Sequence, residues 1–308
     1  MNLLHMKYAV EIAETNSINK AADKLYVGQS ALSRAIKELE ASLGVTLFER
    51  SAKGMFLTAD GEIFIHHAKN VLAQIDEIED MFSGGTISKK HFSVSVPRAS
   101  YIAKAFAEFS KVIDKDTQAE ILYKETNSMR AVKNILQEDY KLGIIRYAEN
   151  YDKYYKTMMD EKGLDYELIT EFRHVLIMSS ESPLAKKEKI TYGDLVDLVE
   201  ISNPDPYVPS LPLAEVRKEE LSEISSRRIF VFERASQFEL LSENPETYMW
   251  VSPVPQKTLE RFGLAQRKCD ENKRVYKDLL IHRKDYSHSE LDNMFIEYVI
   301  KSKREVLK

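Results

Sequence analysis

The chain has 308 residues, of which 44% are hydrophobic and 30% charged, so it is long enough for two globular domains. It contains no apolar run near the ~20 residues that cross a bilayer and no secretory signal pattern, and its single cysteine, Cys269, excludes an intrachain disulfide and a cysteine zinc site. The net charge of −5 argues against a uniformly basic nucleic-acid binder, although residues 1–58 carry seven Lys and Arg against six Asp and Glu. We therefore expect a cytoplasmic protein.

Three short helices are predicted before Gly44. The first is amphipathic over 3–14, the second runs over 18–25 with Ser17 as its N-cap, and a turn at 26–28 leads to the third over 29–43. Gly44 suits the left-handed conformation that ends many helices. Ala22 is small enough to let the second and third helices approach closely.

The third helix separates into two faces. Its apolar residues recur at helical spacing and predict a buried face: Leu32, Ala35, Ile36, Leu39 and Leu43. Its other face carries polar and basic side chains that can hydrogen-bond base edges or phosphates: Gln29, Ser30, Ser33, Arg34 and Lys37. A solvated surface face is the alternative interpretation of such a stripe when it is seen alone.

The sequence after this helix supports DNA binding. Two short apolar strands around a Lys-Gly tip predict a wing that carries Arg50 and Lys53. Together, SINKAADKL at 17–25, QSALSRAIKELE at 29–40, LGVTLFER at 43–50 and LTADG at 57–61 closely resemble the signature of the LysR-type transcriptional regulators in order and spacing.

This resemblance implies a winged helix-turn-helix over residues 1–58. It also implies that the polar face of the third helix contacts the major groove, and that Arg50 and Lys53 reach the DNA backbone or minor groove. Gly28 departs from the serine that is more common in the family. Because glycine is also an acceptable N-cap, we expect the third helix to form.

A long helix is predicted to follow, capped by Thr58 and reaching about Phe82. Its apolar residues are spaced as a heptad seam: Phe64, Ala68, Val71, Ile75, Ile78 and Phe82. The seam favours pairing with a second copy of the chain, as the family resemblance also implies, although the helix could instead lie on its own domain. The glycine pair in residues 83–86 predicts a hinge, so residues 59–90 are interpreted as a dimerising linker.

Residues 91–308 are predicted to form an α/β domain. Strands and helices alternate over residues 92–145, which predicts a parallel sheet, and further strands are expected near 175–178, 198–201, 229–232 and 248–251 before a C-terminal helix from Ser289. The family resemblance implies an effector domain that is similar to periplasmic binding proteins. Its subdomain I would cover about 91–162 and 266–308, and its subdomain II about 163–265.

Ligands of such domains bind beyond the carboxyl ends of strands, near helix N-termini that favour anions. The residues at these positions are the predicted effector contacts: Arg98, Ser100, Tyr101, Thr126, Asn127, Ser128, Arg146, Ser202, Asn203, Glu233 and Ser236. Ser100 and Ser128 could instead cap helices. Arg98 and Arg146 could clamp an anion, or could pair with surface acids such as Glu125 or Glu149.

The sequence contains no nucleophile elbow, phosphate-binding glycine loop or HExxH motif, so we do not expect an enzyme, a metal or a cofactor. We predict a homodimer or tetramer that binds an interrupted DNA palindrome, interacts with RNA polymerase, and responds to a small effector, for which an anion is one candidate class. A DNA-binding regulator or architectural protein without a ligand is the alternative.

Overall fold

A computed structural model of the protein describes residues 2–51, 54–82, 90–113, 118–138, 140–204 and 225–307, without the side chains at 50, 51, 70, 73, 74, 76, 77 and 79–82. The chain divides into two compact units, residues 1–88 and 89–308.

The first unit begins with the three predicted helices: α1 (Leu3–Thr15), α2 (Ile18–Lys24) and α3 (Gln29–Leu43). Ser17 caps α2, since its hydroxyl accepts the backbone N–H of Lys20 at 3.4 Å. Gly28 is the N-cap of α3, and Gly44 ends it in the left-handed conformation with φ 74°. These caps confirm the predicted helix boundaries to within one residue.

A two-stranded wing follows, with β1 (Phe48–Ser51) antiparallel to β2 (Gly54–Leu57). Gly54 has φ +124°, and a Cβ at this position would lie 2.7 Å from the backbone oxygen of Asn16. That same oxygen accepts the N–H of Met55 at 3.0 Å. The start of β2, at the tip end of the wing, is thus held against the turn between α1 and α2, where only glycine fits.

Helix α4 (Ala59–Phe82) begins at the predicted cap, because the Thr58 hydroxyl accepts the N–H of Gly61 at 2.9 Å. A Cβ on Gly61 would lie 2.1 Å from the backbone oxygen of Leu47, so the first turn of α4 packs directly on the chain entering the wing. Farther along, α4 packs on α1 through a small cluster of buried residues, Met6, Ala68 and Leu72.

The residues of the predicted dimer seam on α4 therefore differ in their exposure. Phe64 and Ala68 pack inside their own unit, as the alternative interpretation of the helix has it. Val71 and Ile78 are 37% and 51% exposed, and Ile75 is half-buried. The side chain of Phe82 lies outside the described residues. The described C-terminal half of the seam thus presents apolar surface, and dimerisation stays a prediction.

Within the part of the chain that the structure describes, the second unit contains two five-stranded sheets. The first is formed by β3 (Lys90–Val96), β4 (Ala119–Glu125), β5 (Leu142–Ala148), β6 (Leu164–Arg173) and β12 (Val275–Arg283), in the order β4-β3-β5-β12-β6. The pairs of β3 with β4 and β5 are parallel, as predicted, whereas β12 is antiparallel to both β5 and β6. Four helices accompany this sheet: α5 (Ser100–Phe109), α6 (Ser128–Gln137), α7 (Asp152–Glu161) and α10 (Glu290–Val306).

The second sheet is formed by β7 (Val175–Ser179), β8 (Val199–Ser202), β9 (Arg228–Phe230), β10 (Thr247–Val251) and β11 (Leu264–Arg267), in the order β11-β7-β10-β8-β9. Helices α8 (Arg234–Glu243) and α9 (Gln256–Arg261) contribute to its core, where Phe238 and Leu259 pack near Ile177. Each sheet has a separate hydrophobic core, so the unit consists of two subdomains.

Along its described residues, the chain crosses between the subdomains twice. The first crossing is His174, between β6 and β7, and the second is residues 268–274, between β11 and β12. The Asn272 amide donates to the backbone oxygen of His174 at 3.0 Å and ties the two crossings together. Because β6 pairs with β12, subdomain I extends to Arg173, about ten residues beyond the sequence-based boundary. Among the described residues, no helix is long and apolar enough to span a membrane.

Candidate functional site

Helix α3 presents the two faces that its sequence pattern predicts. Leu32, Ala35, Ile36 and Leu39 are buried in the core of the first unit, and Leu43 packs at its edge. On the opposite side, Gln29, Ser30, Arg34 and Lys37 are exposed and Ser33 is half-buried. Among the described residues, neither Arg34 nor Lys37 takes part in an ion pair, so both cations can neutralise phosphate groups.

The wing is fixed to α3 by Glu40. One of its carboxylate oxygens accepts the backbone N–H of Leu47 at 2.7 Å and that of Phe48 at 3.2 Å. Both residues are buried, so their N–H groups depend on this side chain rather than on water. Glu40 lies within α3 and bonds residues seven and eight positions later, so no local sequence pattern indicates this role. Of the predicted wing contacts, the side chain of Arg50 and the whole of Lys53 lie outside the described residues.

A cavity of about 190 Å³ lies between the two subdomains of the second unit. It is found beyond the carboxyl ends of β3, β4 and β5, which is where the sequence analysis expected a ligand. Of the eleven predicted effector contacts, the structure brings seven together in its lining: Arg98, Ser100, Thr126, Asn127, Ser128, Arg146 and Asn203.

The other four predicted contacts do not line the cavity. Tyr101 is fully buried, and its hydroxyl donates to Asp278 at 2.6 Å, because α5 turns this side chain toward the sheet. Ser202 is buried and donates to Glu200 at 3.1 Å. Glu233 and Ser236 are exposed, because the first turn of α8 directs other side chains into the cavity.

Neither Ser100 nor Ser128 caps a helix. Asn127 caps α6 by accepting the N–H of Arg130 at 2.9 Å, whereas the Ser128 hydroxyl bonds the backbone of Arg146 and fastens α6 to β5. The residue that precedes α5 is Ala99, which makes no side-chain cap. The hydroxyl of Ser100 instead accepts a hydrogen bond from Arg234 at 2.7 Å.

Arg146 lines the cavity, but its guanidinium forms an ion pair with a buried carboxylate. Its Nε and Nη2 donate to the two oxygens of Asp278, both at 2.7 Å, and Asp278 is fully buried. Burial opposes a charge on Arg146, but the adjacent Asp278 carboxylate outweighs it and raises the pKa of the guanidinium. Arg146 thus pairs with an internal acid and not with the surface acid Glu149, which the sequence analysis considered.

Several cavity residues were missed by the sequence analysis. His174 lies at the first crossing and stacks on Tyr276, with ring centroids 3.9 Å apart. Burial, followed by the charges of Arg146 and Arg274, lowers the pKa of His174 well below its usual 6.5, so this imidazole is neutral. The remaining missed residues are Pro97, Tyr147, Ala148, Tyr151, Ile177, Arg234, Gln237, Phe238, Met249, Trp250, Val251, Ser252 and Tyr276.

The lining has a distinct chemical character. It includes three arginines, and none of its described residues is an Asp or Glu. Five aromatic side chains and several aliphatic ones provide apolar surface beside these cations and beside the hydroxyl and amide groups. A cavity of this kind is suited to a small organic anion with an apolar body.

Residues 3–62 match the model of the bacterial regulatory helix-turn-helix proteins of the LysR family. The transcriptional regulator AlsR from Bacillus subtilis is 26% identical over 303 residues, which cover 96% of this chain and 94% of AlsR. Other regulators reach 39–44% identity over 75–81 residues, about a quarter of this chain.

Solved structures match along the whole chain. Full-length LysG from Corynebacterium glutamicum, with bound effector Arg, has a TM-score of 0.62 at 14% identity and covers 99% of both chains. Full-length CbnR in complex with its target DNA has a TM-score of 0.56 at 21% identity and covers 98% of this chain and 100% of that one. These likenesses confirm the predicted fold class. The relatives are transcriptional regulators, as predicted, and not enzymes.

Proposed function

Because the chain belongs to the LysR-type transcriptional regulators, which are DNA-binding proteins, we propose that it binds DNA as a homodimer or tetramer and that a small organic anion in the inter-subdomain cavity modulates this binding. The observation that carries the effector proposal is the cavity itself, with arginines and aromatic rings in its lining and no described carboxylate. The protein would act in the cytoplasm and contact RNA polymerase at promoters.

DNA binding is assigned to the exposed face of α3. Gln29 and Ser30 lie at its N-terminus, and Arg34 and Lys37 follow on the same face. Arginine can hydrogen-bond a guanine with two donors, and both basic side chains can contact phosphates. CbnR, a structural relative, is seen bound to its target DNA. Two copies of α3 in a dimer would require an interrupted palindrome, with Arg50 and Lys53 contacting the flanking backbone.

Arg34→Ala tests this assignment. If Arg34 contacts a base, the substitution should weaken binding to the selected site by about 1–3 kcal/mol, or roughly 5- to 150-fold, and relax base preference at one position of each half-site. Sites are first selected from genomic fragments, and affinity is then measured by gel shift at fixed salt. Arg261→Ala, an exposed arginine of α9, is the matched control. Equal affinities for the wild type and Arg34→Ala would contradict the assignment.

Dimerisation is assigned to the exposed half of the seam on α4. Ile75→Asp should reduce the mass measured by light scattering to that of the monomer, because a charge in an apolar helix seam has no partner. Lys69→Asp introduces the same side chain at an exposed position of this helix outside the seam. A monomeric wild-type protein would refute the proposal, as would an Ile75→Asp variant that keeps the wild-type mass.

Effector binding can be followed through Trp250, which is the only tryptophan of the chain and lines the cavity. Titration with benzoate, an aromatic carboxylate, should change its fluorescence, whereas neutral benzamide should bind much more weakly because it gives the arginines no charge to pair with. A ligand-free regulator is the second candidate. It predicts that no member of a broad panel of organic anions changes the fluorescence of Trp250 or the affinity for DNA.

A further inference from the structure

An ion pair joins the two subdomains beside the cavity. Arg234 is the first residue of α8 and belongs to subdomain II. Its Nη1 donates to Glu125 at 2.8 Å, and its Nη2 donates to the hydroxyl of Ser100 at 2.7 Å. Both acceptors belong to subdomain I, since Glu125 ends β4 and Ser100 begins α5. A single guanidinium of subdomain II is therefore held by two groups of subdomain I.

The pair is only partly shielded from water. The Arg234 and Glu125 side chains are 18% and 19% exposed, and a single oxygen of Glu125 accepts a single guanidinium nitrogen. The hydroxyl of Tyr123 donates to the same oxygen at 3.3 Å and gives this carboxylate a second partner within its own subdomain. Glu125 can thus give up Arg234 without becoming a buried charge that has no hydrogen bond.

The other arginine pair of the cavity has the opposite character. Asp278 is fully buried and binds Arg146 through both oxygens, while it also accepts the hydroxyl of Tyr101. Removing Arg146 from Asp278 would leave a buried carboxylate without its countercharge, at a high cost in free energy. Of the two pairs, only Arg234–Glu125 can separate without leaving a buried charge that has no partner.

We propose that Glu125 is an internal competitor of the effector: it occupies Arg234 in the ligand-free protein, and an anionic ligand replaces it. The incoming carboxylate has the same chemistry as the side chain that it displaces, and Arg234 already lines the cavity. The exchange breaks the link between the subdomains, so the arrangement of the subdomains is coupled to the presence of ligand. This inference rests on the proposed effector site for its ligand, but the link itself is a property of the ligand-free chain.

The test uses the full-length protein and Glu125→Gln, which keeps the size of the side chain and removes its charge. Without ligand, acrylamide should quench Trp250 about two- to threefold more efficiently in Glu125→Gln, because loss of the link lets the cavity open more often. With benzoate, Glu125→Gln should bind roughly three- to tenfold more tightly than the wild type, because the ligand no longer competes with an internal carboxylate. Arg234→Gln should show the same increase in quenching, and a benzoate affinity at least tenfold below that of the wild type.

Glu138→Gln is the matched control, since this exposed glutamate pairs with Lys124 away from the cavity. It should match the wild type in both measurements. Unchanged quenching in Glu125→Gln would overturn the link, and benzoate affinity that is unchanged or lower in this variant would overturn the competition. If quenching rises but no organic anion binds the wild type or either variant, the link stands and the proposed effector site fails. The two failures are therefore distinguishable.

Discussion

Asp278→Ala should be among the most destabilising single substitutions in the second unit. Asp278 is fully buried, and its two oxygens accept three hydrogen bonds of 2.6–2.7 Å, two from Arg146 and one from Tyr101. Removing one partner of a buried ion pair costs about 3–5 kcal/mol, and a buried hydroxyl without an acceptor adds to this cost. We expect a loss of about 4 kcal/mol, a large part of the ~5–15 kcal/mol that stabilises a typical domain.

The assay is urea denaturation of the full-length protein, followed by circular dichroism and by Trp250 fluorescence. Tyr101→Phe isolates the contribution of the hydroxyl and should cost about 1 kcal/mol. The double variant Arg146→Met with Asp278→Leu should recover most of the loss, because apolar residues often replace a buried ion pair at little net cost. A free energy of unfolding for Asp278→Ala within about 1 kcal/mol of the wild-type value would contradict this prediction, as would a double variant that is as unstable as Asp278→Ala.

Three further predictions concern other positions. Glu40→Ala should destabilise the first unit by about 2 kcal/mol in thermal or urea unfolding, because two buried wing N–H groups lose their acceptor, whereas the exposed Glu38→Ala should change its stability little. Gly61→Ala should cost about 1–3 kcal/mol in the same assay, since its Cβ would overlap a backbone carbonyl, and wild-type stability would contradict this close contact. The pKa of His174 is lowered in the folded state, so below pH 6.5 the unfolded chain binds more protons than the folded chain. The free energy of unfolding should therefore decrease by up to about 1.4 kcal/mol for each unit by which the pH is lowered in this range. His174→Phe should lack this contribution, whereas the exposed His91→Asn should retain it, as measured by urea unfolding between pH 5 and 8.

The features that could be predicted from sequence are those set by local spacing. The buried and exposed faces of α3 follow from its helical periodicity, and Ser17, Gly44 and Thr58 lie at helix ends where their chemistry predicts them. The position of the cavity also follows from strand order, because the carboxyl ends of neighbouring parallel strands meet at one edge of the sheet. This is why residues after β3, β4 and β5 were expected to meet, and most of them do.

The features that sequence could not provide depend on pairing between distant segments. Asp278 is the direct cross-strand partner of Arg146, 132 positions earlier, because β12 enters the sheet antiparallel to β5. No local pattern indicates this register. Similarly, Arg234 reaches subdomain I only because α8 begins opposite the end of β4. The assignment of β6 to the first sheet has the same origin, since its partner β12 lies about a hundred residues later.

These long-range pairs change what the three arginines of the cavity imply for a ligand. Seen alone, the lining favours a ligand with several negative charges. Asp278 compensates the charge of Arg146 from the sheet, and Glu125 compensates that of Arg234 from the end of β4, so the cavity is less positive than its lining suggests. When a monocarboxylate replaces Glu125 at Arg234, one internal charge is exchanged for one external charge of the same kind. A singly charged acid with an apolar body is therefore complementary to both the charge and the aromatic surface of the site. We expect such an acid to bind more tightly than a dianion of similar size.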